Sequence, residues 1–201
     1  YIAVVPIRGV IVDEGMPGRD LDAVRGALRR VESDAYARAV VLYVDSPGGS
    51  AVASDLIHRE ITALTKPVVA YFGEVAASGG YYVAAPAKEI IARALSITGS
   101  IGVISARPDF EGAIERIGAH VETIRTAPHA DFLSPMRALT DDERAIFERH
   151  IERFYRTFLG IVAKGRGLDE AAVEPLAGGR VWSGLDAQRV GLVDHIGGLD
   201  L

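Results

Sequence analysis

Residues 71–85 read Y-F-G-E-V-A-A-S-G-G-Y-Y-V-A-A, and this stretch decides the fold. An apolar strand over residues 68–72 leads into a turn at residues 76–80, and a short apolar helix follows until Pro86 ends it. Small residues flank Ser78, so its hydroxyl is open to a substrate, and the free N–H groups and positive dipole end of the helix lie beside it. This arrangement is typical of a nucleophilic serine with an oxyanion hole. A tight contact between helix and strand, with Ser78 as a helix cap, would explain the same residues.

A second glycine turn precedes this one in the chain. Residues 39–44 (A-V-V-L-Y-V) form a continuous apolar run, as expected of a strand buried on both faces, and D-S-P-G-G-S follows at residues 45–50. Ser50 is a good cap for a helix whose apolar positions recur at helical spacing, namely Val52, Leu56, Ile57, Ile61 and Leu64. Strand, helix and strand at this spacing predict parallel strands with a right-handed crossover. Both turns then lie at the carboxyl ends of parallel strands, where open α/β sheets bind ligands.

The rest of the chain alternates between short strands and helices, which predicts one α/β domain over residues 1–201. Strands are expected within residues 2–12, where Pro6 indicates an edge position, and at residues 89–92 and 120–124. Helices are expected at residues 20–31 and at residues 110–117, where Gly118 ends the helix. A further short helix is expected after Gly184 and through Ala187. The longest helix starts at the capping box T-D-D-E from Thr140 and ends at Gly165, and it is expected to project.

The composition excludes several functional classes. The chain has 201 residues, 49% of them hydrophobic, and a formal net charge of −5 without a stripe of Lys and Arg, so nucleic acid is not an expected partner. It has no cysteine, so neither a disulfide nor a thiolate metal site can form, and no metal or other cofactor is expected. No apolar run reaches membrane-spanning length. Because the sequence starts without Met and inside a strand-like run, we expect it to be part of a longer chain.

The two glycine turns suit an oxyanion hole better than a phosphate site. Neither residues 46–49 nor residues 78–80 match G-x-x-x-x-G-K-[ST] or G-x-G-x-x-G. Backbone N–H groups of Gly48 or Gly49 from one side, and of Gly79 from the other, would stabilise an oxyanion. Together the two turns favour a catalytic site over a purely structural contact.

Four motifs resemble the signal peptide peptidase A family of bacterial serine proteases. They are D-S-P-G-G-S at 45–50, A-A-S-G-G-Y-Y at 76–82, T-G-S-I-G-V at 98–103 and G-R-V-W-S-G-x-x-A-x-x-x-G-L-V-D at 179–194, so the resemblance covers nearly the whole chain. It implies a ClpP/crotonase-like fold and a Ser/Lys dyad that cuts leftover signal peptides. By the matching residues, Ser78 is the nucleophile and Ser100 is the hydroxyl that positions the lysine amine. The N–H groups of Gly79 and of the turn Gly48-Gly49 form the oxyanion hole.

The general base departs from the family pattern. The lysine of the family's short form falls within residues 127–131, and by the pattern its position is Ala130. The three lysines of this chain, Lys66, Lys88 and Lys164, are predicted to lie far from Ser78. An alanine cannot take the proton of a serine hydroxyl. His129 is a substitute only if its side chain reaches the site, and in an extended segment it would point away from the face of residue 130.

Two explanations account for Ala130. In the family's long form, two repeated domains share the dyad, and the serine-bearing repeat reads Ala-Asp, as Ala130-Asp131 does here. Alternatively, the chain is a short form whose lysine was replaced, and D-F-L-S-P-M-R at residues 131–137 resembles that form. In both cases we expect that this chain alone does not hydrolyse peptides.

Two other functional classes stay open from the residues. A crotonase-like acyl-CoA enzyme would use a carboxylate, and Glu74 is the acid best placed for it, but the expected basic residues near the turns are absent from the sequence. A non-catalytic domain could hold an extended peptide by β-addition along the groove.

The expected substrate is an extended peptide with small or apolar side chains. Apolar residues predicted to line the approach to Ser78 are Val75, Ala76, Tyr81, Val103, Ile104, Phe132 and Leu133. The apolar face of the long helix predicts a homo- or hetero-oligomer. The resemblance also implies a place at the extracytoplasmic face of the bacterial membrane, with a tether outside this chain.

Overall fold

Short strands and helices alternate along the chain. A computed structural model describes residues 1–14 and 21–199. The strands are β1 (Ile2–Arg8), β2 (Ala39–Ser46), β3 (Val68–Ala77), β4 (Glu89–Ala92), β5 (Ile97–Gly99), β6 (Val181–Ser183) and β7 (His195–Ile196). The helices are α1 (Leu21–Ser33), α2 (Ala51–Thr62), α3 (Gly79–Ala84), α4 (Glu111–Arg116), α5 (Asp141–Arg166), α6 (Glu170–Val173) and α7 (Gly184–Arg189), and a 3₁₀ turn covers Glu174–Leu176.

The strands form a mostly parallel sheet with flanking helices, as predicted. Its order is β1-β2-β3-β4-β7, and each neighbouring pair along that path is parallel. The last residues of β3 pair in parallel with β5, which in turn pairs with the antiparallel strand β6. Within the described residues β1 lies at the edge of the sheet, which confirms the prediction from Pro6. Proline is tolerated there because an edge strand has one side without ladder hydrogen bonds.

Alternating burial marks the face of the sheet that carries the core. Every second side chain of the first two strands is buried, namely Ala3, Val5 and Ile7 in β1 and Val40, Leu42 and Val44 in β2. The helix α1 contacts β1 and α2 and buries Leu21, Val24 and Leu28. Removal of these apolar side chains from water provides the main stabilisation of the sheet.

The chain divides into two compact units. The first comprises residues 1–102 and 157–201, contains the whole sheet, and carries both glycine turns. The second comprises residues 103–156 and contains α4, the loop after it and the first part of α5. None of the helices in the described part of the chain is both long enough and apolar enough to span a bilayer.

The sequence predicted the start of α5 correctly but not its end. The Glu143 N–H donates to Thr140 Oγ1 (3.3 Å) and the Thr140 N–H donates to Glu143 Oε2 (3.0 Å), which confirms the capping box. The helix ends at Arg166, and Gly167 follows at φ 64°, so the predicted stop at Gly165 is wrong. Gly165 has a different role, since a Cβ there would lie 2.1 Å from Ala85 O.

Two other predicted elements differ from the structure, and the start of a third lies outside the described residues. Residues 120–124 do not form a strand, because both Val121 and Ile124 are exposed and no neighbouring strand offers them ladder hydrogen bonds among the described residues. The strand β3 continues beyond residue 72 to Ala77, since Thr98 Oγ1 and the pairing with β5 hold its last residues. The predicted start of the first helix at residue 20 lies outside the described residues, and α1 is described from Leu21.

Candidate active site

Ser78 lies between β3 and α3 in an unusual backbone conformation. Its φ is 52° and its ψ is −121°, a region that residues with a Cβ rarely occupy. The side chain makes no capping hydrogen bond to α3, so the interpretation of Ser78 as a simple helix cap is wrong. The residue is partly exposed, with buried residues on both sides in the chain. A strained backbone of this kind persists only where its surroundings hold it, and it is concentrated at functional sites.

Ser100 also has a positive φ and lies beside Ser78. Among the described residues, Ser78 and Ser100 (φ 50°) are the two non-glycine residues with positive φ. The parallel strands β3 and β5 pair Ala77 with Gly99, so each serine is the first residue beyond that pair. The Ser78 N–H donates to Gly99 O (2.9 Å), and the Ser100 N–H donates to Arg180 O (2.7 Å). The fold therefore brings together two serines that are 22 positions apart in the sequence.

The first glycine turn packs directly against the Ser78 turn. A Cβ on Gly48 would lie 2.5 Å from Gly79 N and 2.9 Å from Ser78 Cβ, and both are closer than real Cβ contacts allow. Gly48 also has a φ of 96°, which favours glycine. Glycine at this position is thus required for the contact between the two turns.

The hydrogen bonds decide which N–H groups at these turns are available. The Gly48 N–H donates to Ser46 Oγ (3.1 Å) and is already used. Ile11 N donates to Gly48 O and Ser50 N donates to Ile11 O, so in this parallel bridge the Gly49 N–H points away from Ile11. A Cβ on Gly79 would lie 3.3 Å from Gly49 N, so the two N–H groups lie close together. Gly79 N–H begins α3 and has no partner within the helix, so the geometry favours Gly49 with Gly79 as the donor pair.

Buried hydroxyl groups, which were not predicted as part of the site, hold both turns in place. Ser46 Oγ donates to Gly9 O (2.6 Å), Thr98 Oγ1 donates to Ala76 O (2.7 Å), and Ser54 Oγ donates to Ser50 O (2.8 Å). All three side chains are almost completely buried. Small hydroxyl residues within otherwise apolar segments next to a glycine turn are the sequence signal that could have identified them.

The lysines of the chain lie away from Ser78, as predicted. Lys66 Nζ donates to the carbonyl oxygens of Val31 and Asp34. The Lys88 N–H donates to Val68 O at the start of β3, and Lys164 lines a cavity together with Lys88. Both lysines lie near the C-terminal end of α3, while Ser78 precedes its first residue, and neither side chain is in contact with the Ser78 turn in the described part of the chain.

Two residues predicted to line the approach to Ser78 are buried instead. Tyr81 has no exposed surface, its hydroxyl donates to Leu192 O (2.8 Å), and burial raises the pKa of this hydroxyl. Ala76 is likewise fully buried in β3. The predictions of substrate contact for Tyr81 and Ala76 are therefore wrong, because α3 is apolar on all sides and is packed inside the unit. Val75 is partly exposed, and its role stays a prediction.

The other predicted approach residues belong to the second unit. Ile104 and Leu133 are exposed there. Val103 and Phe132 are partly exposed, and the ring of Phe132 lies 6.4 Å from that of Phe147 between centroids. Their contact with a substrate stays a prediction.

The segment around Ala130 is not extended. Successive turns form it, with Ala130 N donating to Ala127 O (3.2 Å) and Phe132 N donating to His129 O (3.1 Å). The premise that His129 and Ala130 alternate between two faces is therefore wrong. His129 Nδ1 lies 3.3 Å from Glu143 Oε1, and half of its side chain is exposed. This contact fits the predicted structural or surface role of His129.

An ion cluster of Asp131, Arg137 and Glu143 surrounds this segment. Arg137 donates to both oxygens of Asp131 (2.7 and 2.8 Å) and to both oxygens of Glu143 (2.6 and 2.7 Å). Arg125 adds a contact to Asp131 at 3.2 Å. The hydrogen bonds from Arg137 hold the pKa of both carboxyl groups well below their usual range. The cluster ties the turns at residues 127–134 to the start of α5 within the second unit.

Replacing Arg137 by methionine is expected to loosen the second unit. Glu143 would stay buried without its guanidinium partner, which is unfavourable. We expect a fall of several degrees in melting temperature and faster hydrogen exchange at residues 127–143. Arg156→Met is the matched control, because Arg156 pairs with Glu152 on an exposed face of α5. Equal hydrogen exchange in the two variants would contradict a structural role of the cluster.

The contribution of the cluster is also expected to depend on pH. The pKa values of Asp131 and Glu143 are lowered from their ordinary values of 3.8 and 4.5. Groups of this kind stabilise the fold fully above the ordinary pKa, and they lose that effect as the pH falls towards the lowered pKa. The difference in melting temperature between the unaltered chain and Arg137→Met should therefore be constant at neutral pH and shrink below about pH 4. A constant difference down to pH 2 would contradict this assignment.

Comparison with known proteins places the chain among peptidases. Residues 60–201 match the model of "Peptidase family S49". The chain is 41% identical, over 98% of its length, to "Protease 4" of Haemophilus influenzae, and 38% identical, over 99% of its length, to "Protease 4" of Salmonella typhi. It is 43% identical, over 86% of its length, to the chloroplastic serine protease SPPA of Arabidopsis thaliana. These matches cover 32%, 33% and 26% of the three relatives, so the chain spans a third or less of their length.

Proposed function

Because the chain belongs to peptidase family S49, we propose that it is the nucleophile-bearing domain of a serine endopeptidase, with Ser78 as the nucleophile. The observation that supports this most is the conformation of Ser78, a residue with a Cβ at φ 52° between a strand and a helix. The N–H groups of Gly49 and Gly79 lie beside it without partners in the described part of the chain. A strained hydroxyl next to free donors is the arrangement that acyl transfer needs.

The proposed reaction follows from these groups. Ser78 Oγ attacks the carbonyl carbon of the scissile peptide bond, and its proton passes to a lysine amine. The N–H groups of Gly79 and Gly49 stabilise the oxyanion of the tetrahedral intermediate. The lysine returns the proton to the leaving amine, and water then hydrolyses the acyl-enzyme. Ser100 keeps the lysine amine in position through its hydroxyl.

The lysine of this dyad, we propose, comes from outside these 201 residues. Ala130 stands where the short form of the family has its lysine, and Ala130-Asp131 matches the serine-bearing repeat of the long form. Relatives three times the length of this chain have room for a second, lysine-bearing repeat. The alternative is a short form of the family in which alanine replaces the lysine, and it would also lack a general base.

We propose extended peptides with small or apolar side chains as the substrate class, with remnants of signal peptides as the natural example. The partly exposed Val75, three residues before Ser78, supports a substrate with apolar side chains. We also propose that the protein forms an oligomer. A tether outside this chain would hold it at the extracytoplasmic face of a bacterial membrane. Family membership favours this class over an acyl-CoA enzyme that uses Glu74.

The purified 201-residue chain is expected to show no steady hydrolysis of a fluorogenic apolar peptide. A serine hydroxyl without a base is a poor nucleophile, and the lysines of the chain lie elsewhere. The assay compares the unaltered chain with Ser78→Ala, and the two should give the same background rate. Steady turnover that Ser78→Ala abolishes would contradict an external base and would implicate His129 or another group of this chain.

A further inference from the structure

A cavity of about 490 Å³ lies at the end of β3 opposite to Ser78. Its walls are the C-terminal half of α2, the C-terminal part of α5 and the loop between α3 and β4, all in the first unit. The Lys88 N–H donates to Val68 O at the start of β3, which fixes this loop to the far end of the strand. The helix α3 separates Ser78 from this loop, and neither glycine turn lines the cavity, so it is not part of the candidate active site.

The lining of this cavity is positively charged. Lys88 and Lys164 both line it, which are two of the three lysines in a chain of net charge −5. His58 lines it as well, and no carboxylate does among the described residues. The nearby Asp55 is engaged by Arg59 (2.8 Å) and by the hydroxyl of Tyr82 (2.9 Å). Neither ammonium group pairs with a carboxylate among the described residues, and the acid beside this wall is Glu170, whose Oε1 would lie 3.0 Å from a Cβ on Gly160.

The remaining walls combine apolar side chains with the hydroxyl residues Thr62 and Thr157. Pro86 and Ile161 contribute apolar surface. The His58 ring packs edge-on against Tyr82 with 5.4 Å between centroids. Burial, with a smaller effect of Lys164, lowers the pKa of His58, so its imidazole is neutral at neutral pH. The cavity thus combines two exposed ammonium groups with a lining that is partly apolar.

Stabilisation of a helix end explains the position of Lys164 but not that of Lys88. Lys164 lies in the last turn of α5, where a cation offsets the negative end of the helix dipole. Lys88 lies in a loop before β4 and has no such role. The C-terminus of α5 and the carboxylate of Glu170 lie nearest to Lys164, so Lys88 is the ammonium group that no helix end accounts for.

We propose that this cavity binds an amphipathic monocarboxylate, with the carboxylate held by Lys88 and Lys164 and the apolar chain against Pro86 and Ile161. Its volume falls within the range of about 300–1,000 Å³ that is usual for small-molecule sites. Charge-assisted hydrogen bonds to lysine supply the polar part of the binding, and burial of the chain supplies the rest. A fatty acid and the free C-terminus of a short apolar peptide share this chemistry.

Calorimetric titration of the 201-residue chain tests the proposal with matched probes. Decanoate and acetyl-Leu-Leu-Leu with a free carboxylate represent the two sources, and decanol and the amidated peptide are their uncharged counterparts. We expect one of the carboxylates to bind, with each of Lys88→Gln and Lys164→Gln weakening it about tenfold. Arg116→Gln, which removes an exposed positive charge from α4 in the second unit, should leave the affinity unchanged.

Both lysine side chains are exposed, so the glutamine variants are expected to fold. A lower affinity in these variants would therefore report on binding and not on loss of structure. Binding of decanoate alone assigns the cavity to fatty acids, and binding of the free peptide assigns it to peptide C-termini. No binding of either carboxylate would overturn the proposal. Equal affinity for decanol, or an affinity for the carboxylate that neither lysine variant lowers, would overturn it as well.

Discussion

Ala130→Lys is expected to give the 201-residue chain a peptidase activity at least 100-fold above its background. A positioned general base accelerates such reactions by about 10²–10⁴-fold. By the family pattern, residue 130 is where the short form places its lysine, while the lysines already present lie away from Ser78. Cleavage of a fluorogenic apolar peptide measures the gain, and the double variant Ala130→Lys, Ser78→Ala should return it to background.

The control for this experiment is Ala127→Lys. It adds the same charge to the same series of turns, three residues earlier, and should produce no activity. A folded Ala130→Lys protein that cleaves no peptide would contradict the assignment of position 130. Equal activity in both lysine variants would show that the added charge, and not its position, is responsible.

Gly48→Ala is expected to damage both the stability of the first unit and the candidate active site. The added methyl group would lie 2.5 Å from Gly79 N and 2.9 Å from Ser78 Cβ, and the backbone at φ 96° is unfavourable for alanine. We expect a loss of about 2–5 kcal/mol in the free energy of unfolding, from crowding and backbone strain together. In the Ala130→Lys background, displacement of the turn should also lower peptide cleavage by about 100-fold or more. Urea unfolding and the peptide assay measure the two effects.

Gly112→Ala is the matched control for this substitution. Gly112 lies in α4, and a Cβ there would meet no atom within 4 Å. Alanine is the better helix former by about 1 kcal/mol, so this variant should be as stable as the unaltered chain or slightly more so. A Gly48→Ala protein with unchanged stability and unchanged cleavage would show that the close approach of the two turns is not needed.

Periodicity and turn chemistry predicted most of the first unit correctly. The apolar runs became β2, β3 and β4, and Ser50 caps α2 by accepting a hydrogen bond from Ala53 N. These elements form where local pattern and burial agree, so the sequence signal is strong. Residues 120–124 show the opposite case, because an apolar segment becomes a strand only where a neighbour can pair with it.

The accessibility of individual side chains could not be predicted in the same way. Tyr81 was expected to face a substrate because it follows Ser78 by three residues, yet its ring is fully buried. The all-apolar sequence of α3 was the signal that this helix is buried on every side, and it outweighs the position of Tyr81 close to Ser78. The ion cluster around Arg137 was missed because its members come from a loop and from the start of α5.

The amino-acid sequence by itself determined that two glycine turns follow parallel strands, that Ser78 stands in one of them, and that alanine occupies the expected position of the lysine. These properties depend on residue type and local order, which the sequence states directly. The assembled fold was needed to show that Ser78 and Ser100 both have positive φ at paired strand ends, and that Gly49 rather than Gly48 has a free N–H. Both depend on hydrogen bonds between segments that are distant in the chain, and such pairings arise only when the sheet is assembled.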